Sequence, residues 1–382
     1  MNIEIKGVEF SNKGAELMLH SIIQVLNREL GQYRLVLSPG HLLPYEKRAR
    51  LGAWQKFSFT LFGINWTWLG NLLPGAVRRL LGHFGIMVEK EIDVVFDASG
   101  FVYSDKWDDS RMLDTLRQLR RIRKHQHRYV FLPQAFGPFK NEKNRSSMCE
   151  IIKLADCVIS RDEQSFAALK PLDSGDKVWC YPDITPLLDV SAVVVPVDLP
   201  ESFACIIVNY KMVGPRSDAK YAEHREDYLQ FLQTVVEMVA ATGITPVLLN
   251  HEGVKDEKIC LSLIERLANK PQFINGLSAL EVKKVIGLSV FCLSSRFHGC
   301  VSGLSQGVPV LGTSWSHKYE ELYRYYQCSD HLIDITAIDE LKAKIDSIVA
   351  QREPLSEQLL QRAQVHKDTT AQMWQKVLGP IK

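Results

Sequence analysis

The stretch Ser289–Tyr323 reads SVFCLSSRFHGCVSGLSQGVPVLGTSWSHKYEELY. It opens on an apolar run, Val290 to Leu293, of the kind that forms a strand buried on both faces. Ser294 or Ser295 is a good N-cap for a helix starting around Arg296, and Gly307, Val308 and Pro309 end that helix ahead of a second strand, Val310 to Gly312. Strand, helix, strand without a hairpin signal is a parallel crossover unit. The same reading puts Arg296 and His298 in the first helical turn, at the carboxyl end of a parallel strand, where backbone N–H groups and the helix dipole favour anions. A lone arginine there would cap or pair, and a lone histidine would be a satisfied core residue. Two residues apart, and followed by the small residues Gly299, Ser302, Gly303 and Ser305 that allow close packing on a sheet, they point to a binding site.

Working outward, the same alternation recurs on the N-terminal side. Ile3–Val8, Ile92–Asp97 and Tyr129–Leu132 read as strands, and Gly14–Leu30, Ser110–Lys124 and Lys143–Leu154 as the helices after them. The proline-interrupted stretch PDITPLLDVSAVVVPVDLP, 182–200, breaks the pattern as an interdomain hinge would. A second series follows, with strands at Phe203–Asn209, Thr245–Asn250, Gln272–Ile274 and Val290–Leu293 and helices at Arg225–Ala241 and Lys255–Asn269. The expected fold is therefore α/β, with two doubly wound Rossmann-like domains facing a cleft, at 1–188 and 189–352, and a terminal helix within 353–382 crossing back to the first domain.

Composition limits the function classes. The chain has 382 residues, 46% hydrophobic and 24% charged, ordinary for globular protein and enough for more than one core. A formal charge of +2 argues against nucleic acid as a partner, so any charge that matters is local. The 8 cysteines form no CxxC pair, which speaks against a zinc site or a disulfide framework and for a cytoplasmic location. The start, MNIEIKGVEF, lacks the pattern of a secretory signal. The most apolar window, Phe57–Val77, is too interrupted by asparagine, glycine and proline for a transmembrane span. P-loop, HExxH and GxSxG motifs are missing, as is a GxGxxG after the first strand, which lowers the case for kinases, zincins, hydrolases and nicotinamide enzymes.

Ser294, Arg296, His298, the Gly307–Val308–Pro309 turn, Trp315 and Lys318 together resemble the most recognisable block of the polysaccharide pyruvyl transferases. Weaker matches run along the chain in family order: FSNKGAELML (10–19), DVVFDASGFVYSD (93–105), LPQAFGPF (132–139), ISRDEQSFAAL (159–169) and YPDITPLL (181–188). The resemblance implies a GT-B-like fold and transfer of the pyruvate moiety of phosphoenolpyruvate to two hydroxyls of a sugar, forming a cyclic ketal and releasing phosphate. It implies His298 as the acid that protonates the enol methylene, the task of a group with a pKa near neutrality. Arg161 and Arg296 would bind donor carboxylate and phosphate, to which a guanidinium fork is suited, with Lys318, Ser294 and Ser295 beside them. On the acceptor side stand Asn12, Glu16, Asp97, Gln134 and Asp183. Glu16, Asp97 and Asp183 are candidate bases, and buried N-caps explain these acids nearly as well. No metal or cofactor is implied, since phosphoenolpyruvate is a co-substrate.

Two further features suggest a sugar acceptor carried on a polyprenyl diphosphate and a peripheral position at the inner face of the membrane. Trp54, Trp66 and Trp68 occur near Arg78 and Arg79, and the segment Arg111–Arg128 carries seven Arg or Lys against the single acid Asp114. An interfacial helix beside a basic patch suits anionic headgroups, whereas a core-covering insertion and a solvated helix face are the plainer readings. Two rivals stay open. One is a GT-B glycosyltransferase or nucleotide-sugar epimerase using a UDP-sugar, with Glu320 or Glu321 recruited for the ribose. The other is a non-catalytic scaffold of capsule assembly.

Overall fold

The computed structural model describes residues 1–61, 64–107, 110–213, 225–313 and 317–381. They form two compact units: unit 1 comprises residues 1–10, 18–184 and those from Thr369 onward, and unit 2 comprises 11–17 and 185–368. The chain passes from one to the other at Ile184/Thr185, inside the proline-rich stretch.

Unit 1 is built on an eight-stranded, all-parallel sheet of β1 (Asn2–Lys6), β2 (Arg34–Leu37), β3 (Trp54–Lys56), β4 (Ile86–Met87), β5 (Val94–Asp97), β6 (Arg128–Gln134), β7 (Cys157–Ser160) and β8 (Val178–Cys180), in the order β8-β7-β6-β5-β1-β2-β3-β4. Winding runs outward from β1 on one side, then crosses to β5 on the other, so the strand order reverses between β1 and β5. Unit 2 repeats the scheme with β9 (Phe203–Ile207), β10 (Thr245–Leu249), β11 (Gln272–Ile274), β12 (Phe291–Ser294), β13 (Val310–Thr313) and β14 (Leu332–Ile333), in the order β11-β10-β9-β12-β13-β14. Here the reversal lies between β9 and β12. In open parallel sheets, the crevice outside the carboxyl ends at such a reversal is where ligands bind.

The sheet of unit 2 is apolar on both faces because helices cover it, whereas that of unit 1 buries the Glu4–Lys56 ion pair (2.7 Å). Every residue of β9 and β12 is buried, and one core cluster of unit 2 includes Ile206, Leu248 and Leu293 while another includes Ile207, Val247 and Val310. Strict alternation would have meant a solvated face; continuous runs such as FACII meet the demands of a parallel sheet. The expected helices fall close to their bounds: α1 (Lys13–Leu30), α2 (Ser110–Lys124), α3 (Glu142–Leu154), α4 (Arg225–Ala241), α5 (Gly253–Arg266), α7 (Phe297–Leu304) and α8 (Arg352–Leu378), while α6 (Ala279–Leu288) was not expected. The short strands β2, β3, β4, β8 and β14 were not expected either, since runs of two to four residues carry little periodicity. In unit 1 the end of α8 supplies Trp374, buried edge-on against Phe96 at 5.7 Å, and Lys376, whose ammonium lies 3.6 Å from the Trp179 ring centre.

The basic segment 111–128 requires correction. Its helix stops at Lys124, and Arg128 belongs to β6. Four of its arginines are taken by carboxylates: Arg117 by Asp114 (2.8 Å), Arg120 by Glu150 (2.6 Å), Arg121 by Glu89 (2.6 Å) and Arg123 by Asp156 (3.5 Å). Three of those acids lie about thirty residues away in sequence, so the surplus of positive charge read along the helix is largely balanced in space.

Candidate active site

In unit 2 the β12–α7 connection forms beside the β9/β12 reversal. The helix starts one residue later than expected. Arg296 itself holds the extended N-cap position (φ −103°, ψ 127°), and no side chain caps it. Ser294 therefore does not cap α7. Its Oγ accepts from the Arg296 amide (3.1 Å) and donates to the Arg296 carbonyl (2.9 Å), folding a tight turn. Close packing of the small-residue helix is evident: a Cβ on Gly299 would lie 2.4 Å from Ser294 Oγ, and one on Gly303 would lie 2.4 Å from Val310 Cγ2.

The Arg296 guanidinium is nearly buried and held from two sides. Its Nε and Nη2 donate to the two oxygens of Asp256 (2.8 and 2.6 Å), and Nη1 donates to Glu252. Burial alone would lower its pKa, but Asp256 and Glu252 more than offset that and raise it. Burial raises the Asp256 carboxyl despite the opposing pull of Arg296. The fork is thus pinned and partly neutralised before any ligand arrives. Neither acid was singled out in the sequence, because they lie 40 and 44 residues from Arg296.

His298 follows in the first turn of α7, packed against the start of α1. There Asn12 Oδ1 accepts from the amides of Gly14 (2.9 Å) and Ala15 (3.3 Å), so Asn12 is the cap of that helix. A Cβ on residue 14 would fall 2.0 Å from His298 Nδ1, which makes glycine a steric requirement there. Lys13 pairs with the buried Glu16 at 3.3 Å. Lys318 Nζ sits over the Phe297 ring at 4.8 Å. Trp315, the motif aromatic, lies outside the described residues.

Ser295 plays a different part from the one expected. It is fully buried, its Oγ is shared with Tyr228 (2.7 Å) and Thr313 (2.8 Å), and its carbonyl accepts from Asn209 (2.8 Å) and Tyr319 (2.8 Å). Those bonds fix the strand end and leave the hydroxyl little capacity for a donor. One residue was missed outright. His251 follows the end of β10, 3% exposed, and among the described residues neither ring nitrogen has a hydrogen-bond partner. Polar residues directly after a buried strand, here Asn250-His251-Glu252, were the available signal.

Unit 1 holds the remaining candidates. Asp97 ends β5 with no exposure: its Oδ1 accepts from Ser99 Oγ (2.6 Å), and its Oδ2 accepts from Tyr103 and Tyr129 (2.6 Å each). Burial and then Asp97 raise both tyrosines well above the usual phenol value. With its oxygens so engaged, Asp97 organises the end of the sheet instead of offering an acceptor base. Gln134 is equally buried, donates Nε2 to the Asp97 carbonyl (3.1 Å), and leaves Oε1 without a partner in the chain. Arg161 follows β7 and approaches Asp183 at 3.4 Å, both mostly buried. The helix after it, Glu163–Leu169, is capped by Asp162, not by Arg161.

A sequence model of the family described as polysaccharide pyruvyl transferase matches residues 12–317. The chain belongs to this family. Similar solved structures share the fold at low identity. A UDP-GlcNAc 2-epimerase from Neisseria meningitidis, bound to UDP-GlcNAc, is 12% identical, with a TM-score of 0.60 over 97% of this chain and 100% of that one. A UDP-GlcNAc 2-epimerase from Methanocaldococcus jannaschii is 11% identical, with a TM-score of 0.52 over 84% and 86%. The N-terminal domain of a Candida albicans trehalose-6-phosphate phosphatase is 9% identical, with a TM-score of 0.54 over 99% and 98%. This likeness establishes the GT-B type of Rossmann-like fold for the pyruvyl transferase and nothing about its substrate, since one scaffold carries differently named activities. Among the described residues of this family member, no three His, Cys, Asp or Glu side chains gather as metal ligands, and no helix is long and apolar enough to cross a membrane.

Proposed function

We propose that this pyruvyl transferase moves the pyruvate moiety of phosphoenolpyruvate onto two hydroxyls of a sugar in a surface polysaccharide or its lipid-linked precursor, releasing phosphate. The observation that carries the reading is His298, seated at the start of a buried helix beside Arg296, in a family whose name specifies pyruvyl transfer. A proton from His298 to the methylene carbon would convert CH2 to CH3 and leave C2 electron-poor. One sugar hydroxyl then adds to C2 and gives up its proton, phosphate departs with the C2–O bonding pair, and the second hydroxyl closes the ketal. The donor carries about three negative charges, which favour cationic His298 over the neutral form. Arg296, pinned by Asp256 and Glu252, presents its remaining N–H bonds from a fixed plane, and Lys318 is the further donor ligand of this proposal. Titration with phosphoenolpyruvate and with UDP-GlcNAc tests it: saturable binding of the sugar nucleotide alone would sink the pyruvyl donor assignment.

An anionic lipid surface as partner is favoured by one region of unit 1. The helix Gly75–His83 has no buried residue, and Leu72, Leu80 and Phe84 around it are 70%, 57% and 74% exposed beside exposed Arg79. Apolar side chains with an arginine among them suit headgroups above an acyl boundary. Flotation with anionic vesicles at low salt should carry the protein upward, and no flotation removes this partner.

A further inference from the structure

His251 is the least satisfied side chain of unit 2. A neutral imidazole has one donor and one acceptor, and leaving either unbonded inside a protein costs about 1–3 kcal/mol, so buried polar groups without partners call for an explanation. Neither nitrogen has a partner among the described residues, and the side chain is more than nine-tenths buried. Its position is a second observation. It follows β10, one strand over from the β9/β12 reversal, and the charged groups that act on it are Arg296, His298 and Lys13, every one basic. Glu252 and Asp256 are spent on Arg296. A histidine so placed gains nothing from another cation and would gain a hydrogen bond from an oxyanion.

We infer that His251 contacts the donor, completing with Lys13, Arg296 and His298 a cluster that hydrogen-bonds an oxyanion of it. The inference rests on the reading of unit 2 as the phosphoenolpyruvate site. Burial, followed by Arg296, His298 and Lys13, holds the His251 pKa well below the ordinary histidine value, so in the free protein the ring is neutral and presents one N–H. His298 is then the acid, and His251 the neutral donor that orients the anion for it. Nothing in the sequence block around Arg296 implies this residue, which enters from a strand over forty positions earlier.

Calorimetric titration of wild type, His251→Gln and His251→Asn with phosphoenolpyruvate, inorganic phosphate and pyruvate provides the test. A lost hydrogen bond to a charged group predicts phosphoenolpyruvate binding about 10-fold or more weaker in both variants, with KM rising more than kcat falls. The matching loss on phosphate or on pyruvate tells which end of the donor His251 reads, and either supports the contact. Wild-type affinity for all three probes in variants that are merely less stable assigns His251 a structural role or a solvent partner and overturns the inference. If wild type ignores phosphoenolpyruvate yet binds phosphate in a His251-dependent way, the donor assignment falls and the oxyanion contact stands. If wild type binds none of the probes, both fall.

Discussion

Asp97 in unit 1 and His298 in unit 2 occupy comparable places. Asp97 ends, and His298 follows, the strand that crosses to the far side of the first strand of its sheet, β5 beside β1 and β12 beside β9, at the carboxyl ends where α/β proteins bind ligands. Their surroundings differ. The carboxylate of Asp97 is consumed by two tyrosine hydroxyls and Ser99, with Lys6 at 3.8 Å. Around His298 some capacity is unspent: Arg296 and Lys13 hold acidic partners, but neither ring nitrogen of His251 has a partner among the described residues. A switch point marks where a ligand is geometrically feasible, but only unspent hydrogen-bonding capacity distinguishes a site from a well-made strand terminus.

The strongest way to break this comparison is His298→Ala. It should leave the circular dichroism spectrum intact and lower kcat by ~10² or more, as for a positioned general acid. Gly14→Ala should approach the same loss by displacing the ring, and wild-type turnover in either would remove His298 from the chemistry. Next comes Asp97→Ala, which strands two buried phenols. It should cost about 2 kcal/mol or more in urea unfolding while sparing the affinity for phosphoenolpyruvate, and the opposite pattern would make unit 1 the anion site. Lys318→Ala should raise the phosphoenolpyruvate KM by about tenfold, the value of one charge-assisted hydrogen bond. Arg296→Ala is a poorer probe, since it also leaves Asp256 and Glu252 buried and unpaired.

The smallest effect is on pH dependence. The His251 pKa is lowered on folding, so below about 6.5 the unfolded chain binds a proton the folded chain does not. That contribution to stability is fully present above about 6.5 and lost as pH falls, at up to about 1.4 kcal/mol per pH unit. His251→Gln should flatten this part of the acid limb. His127 and His331, also lowered chiefly by burial, will retain the rest. An unchanged acid limb would show that His251 is not held neutral.

Much of this was legible in the sequence. Apolar strands alternating with amphipathic helices placed both sheets, and SSRFH marked the centre of the site. What escaped depended on distance along the chain. The acids that clamp Arg296 and those that neutralise α2 are some thirty to forty-four residues from their partners, so composition along a helix misjudged its charge in space. Asn12, read as an acceptor ligand, caps α1, and Ser295, read as a donor ligand, ties a strand end to Asn209, Thr313, Tyr228 and Tyr319. Small polar residues at strand ends serve the backbone first, and sequence cannot separate that duty from binding. His251 was missed because Asn250-His251-Glu252, polar residues after a strand, announce neither the burial nor the unmet hydrogen bonds of the histidine.

Calorimetric titration of the wild-type protein with phosphoenolpyruvate, in parallel with UDP-GlcNAc, bears most directly on the claim that unit 2 holds an enolpyruvyl donor. The account predicts saturable binding of phosphoenolpyruvate that weakens in His251→Gln, with no saturable binding of the sugar nucleotide. Saturable binding of UDP-GlcNAc with none of phosphoenolpyruvate would contradict it.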